Sequence, residues 1–230
     1  MAPTLLLLIE TSSPICSVAL SSAGKLIAMR TLDENANHAS MLAVLIDDVI
    51  KTAQITLKEL DAIAISAGPG SYTGLRIGAA TAKGLCYSLS KPLIAIDSLQ
   101  SLAFGMSSRD HLSDSIFCPT IDARRDEIYF GLFDGSGKVI RQSENSILDS
   151  AFQHYLPEDK MITIGGSGAS KCRHLGINRN LSFDYSTRPS AQWLIQQATE
   201  NMLEKKFNDY HTFEPNYIKP AFVTASKSRL

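Results

Sequence analysis

Apolar residues in the first half of the chain change spacing as the sequence proceeds, and the changes predict an order of elements. Thr4–Ile9 is a run of apolar and β-prone residues. Ile15–Leu20 follows the turn Thr11-Ser12-Ser13-Pro14, and Lys25–Thr31 follows Ser21-Ser22-Ala23-Gly24. Short runs separated by turn formers predict a three-stranded meander. From His38 to Ala53 the pattern is different. Met41, Leu42, Leu45, Ile46, Val49 and Ile50 recur at helical intervals, with Asp47, Asp48 and Lys51 off the stripe, which predicts an amphipathic helix. Thr56-Leu57-Lys58-Glu59 has the capping-box spacing and starts a short turn. Ala62–Ser66 reads as a buried strand, Thr73–Leu89 as a helix, Leu93–Ile96 as a strand and Ser98–Met106 as a short helix.

The order then repeats. Ser115–Ile121, Glu127–Phe133 and Lys138–Gln142 are strand candidates, the last two joined by Asp134-Gly135-Ser136-Gly137. Ser146–Tyr155 reads as helical, and Met161–Ile164 as a strand ending in Gly165-Gly166-Ser167-Gly168. Ala169–Leu175 is a short helix, Leu181–Tyr185 a weak strand, and Ser190–Lys206 a helix with Ser190 as N-cap. Each half reads βββαβαβα, although no residue-level repeat is visible. A meander needs only tight turns, whereas the later strands need helical crossovers and therefore pair in parallel. Two such halves give an α/β protein with two mixed sheets and a cleft between them. This is the two-lobed actin/hexokinase-like (ribonuclease-H-like) ATPase architecture. Residues 1–104 are expected to form the first lobe, joined by the tail 211–230, and residues 105–210 the second. The junction is placed near Phe104–Arg109, and the stretch from Pro215 onward reads as extended.

Composition narrows the function classes. With 44% hydrophobic residues among 230, there is ample material for a core. A net charge of −1 argues against a protein that grips nucleic acid on its own, because such binding draws on a basic excess. Cys16, Cys86, Cys118 and Cys172 are far apart with no C-x-x-C pair, which reads as reduced, buried thiols in a cytoplasmic protein. Leu5–Ile9 lacks a basic leader and is interrupted by Glu10, so it reads as a strand rather than a signal peptide. No stretch approaches the roughly 18 apolar residues of a membrane span.

The segment richest in chemistry is Gly68-Pro69-Gly70-Ser71-Tyr72-Thr73-Gly74-Leu75-Arg76, between a strand and a helix. Glycines there allow backbone N–H groups to approach an anion. They equally serve a tight turn that needs positive φ. With the facing turn, Thr11, Ser12, Gly68, Gly70 and Ser71 are the candidate nucleotide or anion contacts. Gly165–Gly168 holds the matching place in the second half. It resembles a nucleophile elbow, except that Ala169 stands at the final glycine position. Active ATPases of this architecture cradle phosphates in the first hairpin turn of each lobe, with glycines there and carboxylates for magnesium. The corresponding turns here, Glu10–Pro14 and Asp122-Ala123-Arg124-Arg125-Asp126, contain no glycine, which argues against ATP hydrolysis by this chain alone. No H-x-x-x-H or H-E-x-x-H pair exists: one turn after His38 stands Leu42. The helix Thr73–Leu89 carries Gly74, Gly78, Ala79, Ala80, Ala82 and Gly84. So many small residues lower helix propensity and imply close approach of another backbone, either its own sheet or a partner helix.

These residues carry a resemblance. Ile9-Glu10-Thr11-Ser12 with Cys16–Leu20, His38-Ala39-Ser40, Gly68–Gly78 and Asp122–Arg125 resemble the bacterial TsaB (YeaZ) family. The match covers most of the first lobe and the start of the second, with a looser match at Gly165–Ala169 and Pro215–Lys219. The resemblance implies a role in making threonylcarbamoyl-adenosine in tRNA, as a non-catalytic paralogue of the transferase subunit TsaD. It implies pairing with TsaD through the first-lobe helices, here His38, Met41, Leu42, Leu45, Gly74, Gly78 and Ala82. A TsaE-like ATPase and tRNA would join that assembly, and a homodimer would form when the chain is alone. No cofactor of its own is implied, though ATP or ADP could sit at the complex interface. Glu10 stands where many relatives have aspartate. A free-standing ATPase or small-molecule kinase and, less well supported, a metallopeptidase are the competing readings.

Overall fold

The structure is a computed structural model that describes residues 3–32, 38–109, 115–173 and 180–219, without the side chains of residues 38–40. Its first sheet has the order β3-β2-β1-β4-β5, formed by β1 (Leu5–Glu10), β2 (Cys16–Ser22), β3 (Lys25–Leu32), β4 (Ala62–Ser66) and β5 (Leu93–Ile96). The three-stranded meander is antiparallel, and β4 and β5 join it in parallel, β4 beside β1. The second sheet repeats the order as β10-β9-β6-β7-β8, with β6 (Ile116–Asp122), β7 (Glu127–Phe133), β8 (Val139–Ile147), β9 (Ile162–Gly166) and β10 (Leu181–Asp184). Here β9 and β10 are the parallel additions.

Strand β1 is apolar at nearly every position because both of its faces are covered. Successive side chains alternate between faces. Leu7 and Ile9 join Val18, Ile63 and Ile65 beneath α1 (His38–Thr52) and α2 (Tyr72–Leu89). Leu6 and Leu8 face the other way, with Ala19, Ala64 and Ile96. That second face is covered by Ala191, Leu194, Ile195 and Ala198, from a 3₁₀ turn at Ala191–Leu194 and α5 (Ile195–Leu203). Ser17 Oγ accepts the Ala191 N–H at 2.9 Å, fixing where this segment lands.

Packing therefore crosses the expected junction twice. Helix α3 (Ser98–Ser107) follows the first sheet in sequence, yet Leu99, Leu102, Ala103 and Met106 pack on Phe117 and Phe133 of the second sheet. Residues 191–203 lie within the expected second lobe but cover the first sheet. The lobes are defined by their sheets and exchange one covering helix each, so no single cut near Phe104–Arg109 separates them. The described part of the terminal segment runs along the first sheet and α2. Asn208 bonds the exposed edge of β5, donating its N–H to Leu93 O and accepting the Ala95 N–H on Oδ1, both at 2.9 Å. Lys83 donates to Phe213 O at 3.0 Å, and Asn216 N–H to Ala67 O at 2.7 Å. The expectation for residues 220–230 lies outside the described residues.

One element differs in kind. Residues 146–155 read as helical, but β8 continues to Ile147, and only a 3₁₀ turn forms at Phe152–Tyr155. The ladder with β7 persists through Tyr129–Asn145, Ile128–Ser146 and Glu127–Ile147 despite an irregularity upstream. Cross-strand pairing outweighs local helical preference there. Asp149 Oδ1 then accepts the Ala151 N–H at 2.8 Å and turns the chain. The short turn expected at Thr56 is present, with Glu59 Oε2 accepting the Thr56 N–H at 2.7 Å. The end of the helix expected at Ala169–Leu175 lies outside the described residues; α4 spans Ala169–Cys172.

Candidate functional site

The carboxyl ends of β1 and β4 meet the glycine-rich loop. Glu10, the last residue of β1, is completely buried. Its Oε1 accepts the Ser12 N–H at 2.6 Å, and its Oε2 has no hydrogen-bond partner among the described residues. Burial pushes this carboxyl above the ordinary range, against the pull of hydrogen bonds from Ser12 and Ser66. The thiol of Cys16 is pushed up to about 11, first by burial and then by the charge of Glu10. Thr11 N–H donates to Ser66 Oγ at 3.2 Å, which ties the first hairpin turn to the end of β4.

The loop closes over this turn. Gly68 has φ +103, a conformation that side chains disfavour, and a Cβ there would run into Asn216 O of the terminal segment. Its N–H donates to Ser98 Oγ at 3.0 Å, and its carbonyl accepts the Ser98 N–H at 2.9 Å. A Cβ at Gly70 would meet the Ser12 backbone, and Ser71 N–H donates to Ser12 O at 2.7 Å. Ser71 Oγ caps α2 by accepting the Gly74 N–H at 3.2 Å. One turn further on, a Cβ at Gly74 would run into Thr11 O, and one at Gly78 into Thr11 Oγ1. The structure thus brings Thr11, Ser12, Gly68, Gly70 and Ser71 together. It also fills the space their glycines leave with the chain's own turn and tail, and it engages the N–H groups of Thr11, Ser12, Gly68 and Ser71 internally. A magnesium–nucleotide cradle needs open glycine backbone and an accessible carboxylate. The residues at this turn do not fit one, since Glu10 lies fully buried beneath it.

The second lobe repeats the arrangement with other residues. Thr120 Oγ1 donates to Gly165 O at 2.7 Å, and a Cβ at Gly166 would run into Thr120 O. Ser167 Oγ accepts the Asp122 N–H at 3.0 Å, which makes it a structural tie between two turns. Lys171 Nζ fastens the hairpin turn by donating to Asp122 Oδ1 (2.5 Å), Arg125 O (2.6 Å) and Glu127 O (3.2 Å). Arg124 and Arg125 stand at the tip, at φ +68 and +48.

Apart from His38, the residues expected to form a partner interface fall on the inner faces of their helices. Leu42 and Leu45 lie in the first-sheet core, Gly74, Gly78 and Ala82 are buried beneath α2, and Met41 is half-buried. His38 begins α1, but its side chain lies outside the described residues. The stripe Gly74–Gly78–Ala82 is therefore accounted for by the chain's own sheet and by Thr11. A second set points outward: Ala43 and Val44 on α1, and Thr73, Ala80, Gly84 and Tyr87 on α2. Val44 is 46% and Tyr87 70% exposed, while the space at the Gly84 Cβ position is empty to 4 Å. At about 100° per residue, Ala80 and Gly84 project opposite to Gly78 and Ala82, so the α2 spacing carried both stripes and only one was singled out. Also unanticipated is a cluster on α2 with half-buried rings: Arg76 lies 4.1 Å over the Tyr72 ring, whose centroid is 4.7 Å from that of Tyr217 in the terminal segment.

Among the described residues, no group of three or more His, Cys, Asp or Glu side chains is arranged to hold a metal, and no helix is long and apolar enough to cross a membrane.

Two five-stranded mixed sheets of matching order, each with a hairpin turn and a glycine turn at the ends of its central strands, define an actin/hexokinase-like protein. A family model described as "TsaD: tRNA N6-adenosine threonylcarbamoyltransferase" matches residues 32–219. The chain is 32% identical to the tRNA threonylcarbamoyladenosine biosynthesis protein TsaB of Escherichia coli, over 93% of this chain and 94% of that protein. Identity to the TsaB protein of Haemophilus influenzae is 27%, covering 93% of each. Among solved structures, YeaZ from Pseudomonas aeruginosa superposes with a TM-score of 0.79 at 27% identity, over 93% of this chain and 99% of that one. The chain belongs to the family that this model describes and, within it, to TsaB (YeaZ).

Proposed function

We propose that this protein acts in the synthesis of threonylcarbamoyl-adenosine in tRNA as a non-catalytic subunit that binds and positions a TsaD-like transferase through the outward face of α1 and α2. One observation carries the reading: the glycines of the first-lobe loop are filled from within by Thr11, Ser12 and Asn216, while Gly84 opens on empty space on the exposed side of α2. An exposed mid-helix glycine gives up about 1 kcal/mol relative to alanine. A facing helix that needs close approach offsets that loss. Val44, Ala80 and Tyr87 extend the same face, which would also serve a second copy of the chain when the transferase is absent. Any ATP or ADP would then be held between subunits, and a TsaE-like ATPase and tRNA would join the assembled pair in the cytoplasm.

The test is size-exclusion chromatography of the chain with a TsaD-like protein. Gly84→Arg and Ala80→Arg are expected to abolish the complex while melting within a few degrees of wild type, because both positions are exposed and the Cβ position of Gly84 is empty to 4 Å. Gly78→Arg is not a clean test, since it would disrupt the Thr11 turn. Normal complex formation by folded Gly84→Arg and Ala80→Arg would place the interface elsewhere.

A further inference from the structure

The terminal segment is held on the first lobe from residue 208 to residue 217. Asn208 bonds the edge of β5, and Lys83 of α2 donates to His211 O at 3.3 Å and Phe213 O at 3.0 Å. Tyr210 and Phe213 pack against the first-sheet core. Asn216 N–H donates to Ala67 O, and its carbonyl takes the space beside Gly68. Tyr217 meets the Tyr72 ring and accepts a hydrogen bond from Arg76. Two residues later the chain changes lobe. Lys219 pairs with Glu127, the first residue of β7 in the second sheet. Both side chains are half-buried, so salt screens the pair less than a fully exposed one. The turn between these anchors is strained. Ile218 has φ +55, an outlier for a β-branched residue, and such backbone persists only where its surroundings hold it. The hold is visible on both sides. Asn216 Oδ1 accepts the Ile218 N–H at 3.3 Å, and Tyr217 O accepts the Lys219 N–H at 2.5 Å. The lobes are also joined through α3 and residues 191–203, which cover the two sheets. The tie at Lys219 differs in kind, because neither of its members belongs to an apolar core and it opens without unpacking one.

We propose that residues 208–219 form a strap, anchored on the first lobe and latched to the second by Lys219 and Glu127, that limits how far the lobes move apart. Release of the latch frees residues 218 and 219 and lets the lobes open about α3 and residues 191–203. The test uses the full chain with one nitroxide label in each lobe, at Lys58→Cys and Lys160→Cys, both exposed positions. All four native thiols are buried and stay unlabelled. Pulsed double electron–electron resonance reads the distribution of distances between the lobes, and amide exchange is followed at Asn216 and Ile218. Lys219→Gln, Glu127→Gln and the double variant are compared with the otherwise unaltered chain at 0.05 and 0.5 M salt.

The unaltered chain is expected to show one narrow distance distribution. Each single variant should melt within a few degrees of it and broaden the distribution toward longer distances. The Asn216 and Ile218 amides should exchange roughly 2- to 5-fold faster, the range for loss of a partly screened ion pair. The double variant should match either single one, because both changes remove the same tie. At 0.5 M salt the unaltered chain should move part of the way toward the variants. An unchanged distance distribution in Lys219→Gln overturns the proposal. So do additive effects of the two changes, since Lys219 and Glu127 would then act separately. A Lys219→Gln variant that melts far lower overturns it too, because a latch opens without unfolding either sheet. Should Glu127→Gln fail to fold, the distance distribution of Lys219→Gln decides alone.

Discussion

The internal filling of the glycine-rich loop can be tested within one helix. Gly78 and Gly84 both lie in α2, and both forfeit about 1 kcal/mol of helix propensity relative to alanine. Their surroundings are opposite. A methyl group at Gly84 meets nothing within 4 Å, so Gly84→Ala should recover that propensity in full. For a chain of this size, about 1 kcal/mol corresponds to roughly 2–4 °C in Tm. A methyl group at Gly78 runs into Thr11 Oγ1 of a buried turn, itself held by the bond from Thr11 N–H to Ser66 Oγ. Overpacking of this kind costs about 1–3 kcal/mol, so Gly78→Ala should end between neutral and about 2 kcal/mol less stable. The partner change Thr11→Ala clears the hydroxyl. In a double-mutant cycle read by thermal and urea denaturation, Thr11→Ala with Gly78→Ala should be more stable than the sum of the single changes, by about 1–2 kcal/mol. Additivity of the two changes, or stabilisation by Gly78→Ala equal to that of Gly84→Ala, would refute the tight fit of α2 over the first hairpin turn.

Glu10 should make stability depend on pH. Its folded-state pKa is raised by burial, so the folded protein holds the proton more tightly than the unfolded chain. Stability from this group is complete below the ordinary glutamate value and is lost as pH rises through the folded value. Glu10→Gln should match wild type near pH 4 and exceed it at pH 8 in Tm; a constant difference across that range would contradict a buried, proton-retaining carboxyl. The cysteines should be inert. All four are buried, and burial raises the thiols of Cys16 to about 11 and of Cys86 and Cys172 to about 12. No thiol should react with Ellman's reagent at pH 8 until denaturant is added, and fast labelling of even one in the native protein would show that its burial is wrong.

Much of the architecture was legible because periodicity and turn chemistry are local. The switch from the β1–β3 meander to the stripe of α1 is written in spacing alone, and so is the need for parallel pairing of β4 and β5. What spacing cannot report is which sheet a covering helix joins. Leu99 and Leu102 look the same in sequence whether they land on the first sheet or on Phe117. Only the fold sends α3 to the second sheet and α5 to the first. The candidate contacts were legible as a group, since turn residues after β1 and after β4 must meet when the two strands pair in parallel. Their use was not, because the group that fills Gly68 is Asn216, 148 positions away. The absence of glycine from the hairpin turns was visible in the sequence. That Arg124 and Arg125 lie in left-handed backbone was not, since arginine is a poor sign of positive φ. The helix α2 held a double message, and the buried stripe masked Ala80 and Gly84 on its outer side.

The account stands or falls on the first-lobe loop being closed by its own chain, so that the protein works through what it binds. The most direct measurement is ATP turnover by the rigorously purified chain alone, in magnesium buffer, beside a Gly70→Ala variant. No turnover above buffer is predicted for either protein. Sustained hydrolysis by the wild-type chain, abolished by the change at Gly70, would show that the loop opens to hold a triphosphate and would contradict the account.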